Sequence, residues 1–302
     1  MGLHLDTSII VLFAMALFAA TVNGALGYGF SSLTVPVALL FFSNKILSPA
    51  LVLVALVVNA WVVILNRRSF AAVKRRTLPI LFGLLPGILV GSYLLTSINP
   101  GYLKFWTYVV MLPLILLQAA GFRRPIDAEH LAALPLGLSV GTLYATTTIS
   151  GPPLAMMFNN QGLHKEEFRA ALGIVRVVET TFTAIVYGFL GLYSAQSVRL
   201  VVPIAPALLM GLPLGTFLLR YVKSETFRRV CMSFDAWIVG FGLARTIVDL
   251  RLLGTFGAYT IWAAVILFDL YLLYQYFVVG RHNLLRPHPV KVRSGTPENV
   301  PA

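Results

Sequence analysis

The sequence predicts an all-α polytopic membrane protein made of two inverted repeats. Each repeat is a broken, re-entrant helical hairpin followed by three transmembrane helices, and one additional transmembrane helix follows at the C-terminal end. Three observations carry this expectation: composition, a duplicated pattern of Gly and Pro, and the placement of basic clusters. Of the 302 residues, 58% are hydrophobic and only 11% are charged, with a mean hydropathy of +0.84. A soluble chain of this length would need a polar shell, whereas here the charges gather in short clusters between apolar runs of membrane-spanning length. The formal net charge is +12. Its Lys and Arg flank apolar segments, where the positive-inside bias and anionic lipid account for them, so the lipid bilayer is the implied partner and nucleic acid is excluded. The single cysteine, Cys231, allows no internal disulfide and no cysteine-based metal site.

The N-terminal segment lacks the basic start and small-residue cleavage site of a secretory signal, and its apolar run outlasts a signal peptide, so it is expected to stay. The first repeat, 1–122, holds a hairpin over about 8–42 and uninterrupted apolar spans at 46–65, 77–96 and 102–122. The second, 131–249, holds a hairpin at 131–160 and spans at 168–192, 198–219 and 230–249. A further span covers 255–279, and the polar, Pro-containing tail 281–302 has too few apolar residues to form a core. The two halves share an ordered set of small or imino residues. Gly24 and Pro36 align with Gly141 and Pro153 at one offset, and Pro79, Gly87 and Gly91 align with Pro203, Gly211 and Gly215 at another.

Orientation follows from Arg67, Arg68, Lys74, Arg75 and Arg76 in one loop and Arg220, Lys223, Arg228 and Arg229 in another, both expected in the cytoplasm. The first cluster follows the first span of its repeat and the second follows the second span of its own, so the repeats are inverted. With three spans per repeat, this works only if each hairpin enters and leaves on one side. The N-terminus is then outside and the C-terminus cytoplasmic, as Arg281, Arg286, Lys291 and Arg293 also suggest. Arg245 and Arg251 fall near an outside end and run against the bias.

Breaking a membrane helix twice at matching places exposes backbone groups that cost several kcal/mol each in hydrocarbon unless protein, water or ligand meets them. Paired breaks of this kind point to a transporter's binding site. Helix N-termini at the breaks present free N–H groups and partial positive charge, which suits an anion. The candidate binding residues are therefore Gly24, Gly27, Gly29, Ser31, Ser32 and Thr34 in the first hairpin, and Thr146, Thr147, Thr148, Ser150 and Gly151 in the second. The hydroxyls either replace an anion's water shell or bond back to helix carbonyls.

Arg176 lies half-way along its span, where a lone arginine is costly and needs a partner. Glu179, three residues on, offers a structural ion pair; the other role is a shared contact with substrate. Asn59 falls at the position matching Glu179 in the first repeat, either bonding substrate or bridging helices. Asp235 is expected to meet Arg228 or Arg229 at the interface, and Asp269 to lie deep in the last span. His130 and His164 read as loop residues, and Trp61, Trp106, Trp237 and Trp262 as packing groups or interfacial anchors.

The runs Ser150-Gly151-Pro152-Pro153-Leu154, Asn160-Gln161-Gly162-Leu163 and Lys165-Glu166-Glu167-Phe168-Arg169-Ala170 resemble the TauE/SafE family, described as sulfite-exporter-like. The stretch from Gly24 to Pro36 is similar to the family's glycine-rich opening motif, although Phe30, Ser31 and Ser32, and Thr148 to Ser150 in the second copy, stand where members often carry glycine. The resemblance covers about 8–249 and implies a polytopic carrier of the bacterial inner membrane for sulfite, sulfoacetate or related organic anions.

Three functions fit an integral membrane protein of this kind: a secondary transporter working by alternating access, an anion channel, or a membrane-embedded enzyme. The last is disfavoured, because no nucleophile and base pair, HExxH, metal-ligand cluster or P-loop is present, and no cofactor is implied. The expected partners are a small anionic substrate and the bilayer, and a homodimer is one compatible assembly.

Overall fold

The computed structural model describes residues 2–26, 29–66, 70–120, 129–160, 165–218 and 224–279. Gly27, Arg67, Arg68, His164, Arg220, Lys223 and the expected tail 281–302 lie outside them. The described residues form α1 (Gly2–Leu26), α2 (Phe30–Ala38), α3 (Asn44–Asn66), α4 (Phe70–Ser97), α5 (Pro100–Ala119), α6 (Glu129–Thr147), α7 (Gly151–Asn160), α8 (Lys165–Phe189), α9 (Ala195–Leu218), α10 (Ser224–Asp249) and α11 (Thr255–Tyr274). A π-helical turn, Gln275–Val279, continues α11.

The chain is an all-helical polytopic membrane protein. Among the described residues seven segments are long and apolar enough to cross a bilayer: Thr7–Ala25, Thr77–Ser97, Pro100–Leu117, Ala170–Phe189, Ala195–Leu218, Arg229–Asp249 and Thr255–Val278. Val202, Leu209, Leu267, Phe256 and Val57 point outward, while Glu179, Asp269, Thr180, Thr183 and Ser92 are wholly buried. That distribution suits lipid outside and a polar interior. Local chemistry marks the helix ends. Pro100 opens α5, where a missing N–H costs nothing, and Asn99 Oδ1 accepts from the N–H of Gly101 at 2.9 Å. Ser194 Oγ accepts from the N–H of Ser197 at 3.1 Å at the start of α9. The left-handed Gly191, φ 64, closes α8.

The helices within each hairpin are unequal. α1 contains a 19-residue apolar segment and α6 has 19 residues, but α2 has only 9 and α7 only 10. At 1.5 Å per residue the short partners reach roughly 15 Å, about half the hydrocarbon thickness.

Each long hairpin helix packs along a span of the other half. Cβ atoms added to Gly83, Gly87 and Gly91 of α4 would lie 2.1, 2.3 and 2.5 Å from the carbonyl oxygens of Leu134, Leu138 and Thr142 on α6. From the α6 side, Gly137 and Gly141 meet the Ile80 and Leu84 carbonyls at 2.1 and 2.3 Å. The same contact recurs between α1 and α9, with Gly215 against the Thr21 carbonyl at 1.9 Å and Gly211 against Ala20 Cβ at 2.5 Å. In lipid no hydrophobic drive joins helices, so close backbone approach through glycine supplies the packing. Residue numbers rise together along both pairs, so α6 runs parallel to α4 and α1 parallel to α9.

These contacts revise the alignment of the two hairpins. Leu17 and Thr21 of α1 meet Gly211 and Gly215 as Leu138 and Thr142 of α6 meet Gly87 and Gly91, and the short helices open at Phe30 and Gly151. The counterpart of Gly24 is then Ala145, not Gly141. The glycine-matched register is one helical turn out, and because a slip of four residues keeps the same helix face, the two registers look alike in sequence.

Candidate functional site

Both breaks fall at one level of the bundle, beside the middles of α3 and α8, and a small cavity opens between them. Its wall takes Asn23 from the end of α1, Phe30, Ser31 and Ser32 from the first turn of α2, Ala55, Val58 and Asn59 from α3, Tyr144, Thr148, Ser150 and Gly151 from the second hairpin, and Arg176 from α8. At the first break Gly29 takes φ 108, a conformation that glycine adopts without strain, and no side chain caps the helix behind it. Among the described residues no side-chain oxygen caps the N–H groups of that first turn, and the positive end of α2 faces the cavity. At the second break Thr148 takes φ 59. A β-branched residue is rarely found there, and such strain persists only where the surroundings enforce it. Ser150 precedes α7 but turns its hydroxyl to Glu179 Oε2 at 2.7 Å, leaving Gly151 to open the helix at the cavity wall.

Of the expected site residues, Ser31, Ser32, Asn59, Thr148, Ser150, Gly151 and Arg176 line this one cavity. The others lie elsewhere. Gly24 is a packing glycine, since a Cβ there would sit 2.3 Å from the Leu212 carbonyl of α9. Gly29 is buried at the turn and sets its shape. Thr34 is wholly buried, outside the wall, with Oγ1 unpartnered among the described residues. Thr146 and Thr147 donate back to carbonyls of α6, to Thr142 at 2.9 Å and to Leu143 at 2.6 Å, as hydroxyls in membrane helices often do. The Thr146 carbonyl instead accepts from Asn44 at 3.3 Å and Ser48 at 3.2 Å, tying the hairpin tip to α3. Glu179 stands behind Ser150, fully buried, without lining the cavity.

Asn59 does bridge helices, donating to Thr180 Oγ1 at 2.6 Å and to the Arg176 carbonyl at 3.4 Å. The register that relates the hairpins also aligns the starts of α3 and α8, Asn44 and Lys165, and it pairs Ala55 with Arg176 and Asn59 with Thr180 instead of the expected Glu179, so one of two related places on the wall carries the cation. Sequence reasoning missed Asn23 and Tyr144. Each lies in the last turns of its long hairpin helix, and a polar residue shortly before the break would have been the signal.

Two other buried charged groups, Asp269 and Arg229, lie in a separate region between α10 and α11. Asp269 accepts from Ser233 at 3.1 Å and Trp237 Nε1 at 3.0 Å. Arg229 donates to the Leu272 carbonyl at 3.0 Å and lies over the Tyr276 ring. Asp235 is not at an interface: it is 1% exposed, and neither carboxyl oxygen has a hydrogen-bond partner among the described residues. Among the described residues no group of His, Cys, Asp and Glu could hold a metal ion.

A polytopic helical bundle in which two interrupted helices and a partly buried arginine converge on one polar cavity has the organisation of a membrane transporter. The family model described as Sulfite exporter TauE/SafE matches residues 12–241, and the chain belongs to that family. No curated protein and no solved structure matches it.

Proposed function

We propose that the protein is a secondary transporter that moves a small anion, sulfite or a small organosulfonate, across the bacterial inner membrane by alternating access. The observation that carries this reading is the convergence of the α2 and α7 N-termini with Arg176 on one cavity. Both helix N-termini supply positive potential, and the guanidinium, the first-turn N–H groups of α2 and the Gly151 N–H supply donors, to an anion that has left its water shell; Pro152 and Pro153 have no N–H to add. Membership of a sulfite-exporter family supports the substrate class.

Inversion of the two repeats is supported by the reciprocal packing of α1 on α9 and α6 on α4. α4 and α9 run in opposite directions, so the hairpins parallel to them enter from opposite ends of the bundle. Rocking one hairpin with its partner span against the other pair would open the cavity to each side in turn. The N-terminus is assigned outside and the C-terminus to the cytoplasm, because the basic clusters then fall inside.

Purified protein in liposomes should take up sulfite down its gradient faster than empty liposomes, with saturation. A Gly151→Leu variant that is made in normal yield should not, because the side chain occupies the cavity wall. Uptake by that variant at the wild-type rate would refute the assignment, and unitary currents in a planar bilayer would make the protein a channel.

A further inference from the structure

We infer that the cavity prefers a ligand that carries a hydrogen-bond donor of its own beside its anionic group, so that a small hydroxylated or amino-bearing acid binds more tightly than a bare oxyanion. The inference rests on the anion-site reading above and refines it.

The argument is an account of hydrogens. Ser150 has one hydroxyl hydrogen and gives it to Glu179 Oε2 at 2.7 Å. Thr148 gives its own to the Thr147 carbonyl at 2.6 Å. Thr180 donates to the Arg176 carbonyl at 2.6 Å and accepts from Asn59 at 2.6 Å. With that hydrogen committed, Tyr144 must be the donor in its 3.2 Å contact with Thr180 Oγ1. Three hydroxyls on the cavity wall have thus turned their only hydrogens into the protein and can offer a ligand nothing but lone pairs. Asn59 spends its amide N–H groups on Thr180 and Arg176, leaving its oxygen. Asn23 also lines the wall, is 3% exposed, and has an Oδ1 with no hydrogen-bond partner among the described residues.

The cavity therefore has two kinds of wall. One, made by Arg176, the opening turn of α2 and the single N–H of Gly151, donates, Pro152 and Pro153 having none. The other, made by Ser150, Thr148, Tyr144 and Asn23, accepts. A bare oxyanion carries acceptors only and would satisfy the first while leaving the second desolvated and unpaired, which is the costly arrangement for buried polar atoms. A ligand hydroxyl or ammonium pairs that second wall. The Glu179 carboxyl behind Ser150, whose Oε1 is likewise unpartnered among the described residues, sets the direction of the Ser150 hydrogen.

The test uses three probes of equal chain length, ethanesulfonate, 2-hydroxyethanesulfonate and 2-aminoethanesulfonate, titrated calorimetrically into the purified full-length protein. One donor-bearing probe should bind on the order of tenfold or more tightly than ethanesulfonate, the worth of about one buried hydrogen bond, and whichever gains identifies hydroxyl or ammonium. In Glu179→Gln the new amide can donate to Ser150 and release its hydrogen toward the cavity, so the preference should shrink while ethanesulfonate binding is kept. Asn23→Ala, which removes an acceptor from the wall, should shrink it too. If ethanesulfonate binds as tightly as both others and all three are lost in Arg176→Gln, the donor inference is overturned and the anion site stands. A preference unchanged in both Glu179→Gln and Asn23→Ala also overturns it. If none of the probes binds, or if Arg176→Gln leaves all three affinities unaltered, the anion-site reading fails and this refinement falls with it.

Discussion

Replacing Gly215 by alanine tests whether glycine-mediated backbone contact holds the hairpins to the bundle. The added Cβ would sit 1.9 Å from the Thr21 carbonyl oxygen, 2.8 Å from its carbon and 2.9 Å from the Ala25 nitrogen. All three atoms are backbone, so no flexible side chain can yield, and α1 and α9 must part by about 1.5 Å to restore ordinary contact. Overpacking of this kind costs roughly 1–3 kcal/mol. Alanine's helix propensity returns about 1 kcal/mol relative to glycine, so the expected net loss is about 0–2 kcal/mol, toward the upper end because the clash is with backbone. Gly257 of α11 is the control, since nothing lies within 4 Å of a Cβ there, and Gly257→Ala keeps the propensity gain alone. Thermal unfolding in detergent, followed by tryptophan fluorescence, should show Gly215→Ala melting several degrees below wild type and Gly257→Ala at or above it. Gly215→Ala protein that melts at or above the wild-type temperature would refute the packing argument.

Other expectations follow from single contacts. Tyr108→Phe removes the hydroxyl that donates to the Pro36 carbonyl at 2.9 Å and leaves that buried acceptor unpaired, so it should cost about 1–3 kcal/mol of stability, read as a lowered melting temperature with little cavity change. Asn59→Leu removes the bridge to Thr180 and the Arg176 carbonyl, and should reduce both stability and anion affinity, measured by melting and titration on the same preparation. In intact cells, a cysteine at Ser97, which is exposed at the end of α4, should react with impermeant maleimide from outside, while one at Ser224, the first residue of α10, should not. Labelling of both, or of Ser224 alone, would break the assigned orientation. Cys231, being buried, is a small background.

Membrane class, the two interrupted hairpins and Arg176 were legible in the sequence, because each depends on a residue type that is costly in hydrocarbon: a charge, or Gly and Pro within an apolar run. The role of individual glycines was not. Gly24 and Gly29 sit five residues apart in one stretch, yet the first permits a helix to touch α9 and the second permits a left-handed turn, and glycine serves both purposes without a local mark to separate them. The hydroxyls divide in the same way. Thr147 and Thr148 are neighbours, but the first lies in the last turn of α6 and bonds back to it, while the second leaves the helix at positive φ and reaches the cavity. The hairpin register was one turn out because glycine recurs on a helix face at nearly the spacing of a turn. Asn23 and Tyr144 carry no periodic signal, and their place on the wall comes from how α1 and α6 meet α3 and α8.

Equilibrium binding at the cavity tests the central claim most directly. Wild-type protein should be titrated with sulfite, sulfoacetate, taurine, thiosulfate and small carboxylates, and the tightest ligand then measured on Arg176→Gln, Arg176→Lys and the double variant Arg176→Gln, Glu179→Gln. If Arg176 holds the anion, Arg176→Gln should lose at least about tenfold in affinity at retained expression and melting behaviour. Arg176→Lys should recover only part, since a compact ammonium cannot reproduce the planar fork, and the double variant should stay weak. Well-folded Arg176→Gln protein with unaltered affinity, or full recovery of binding in the double variant, would contradict the account and leave Arg176 as a structural partner of Glu179.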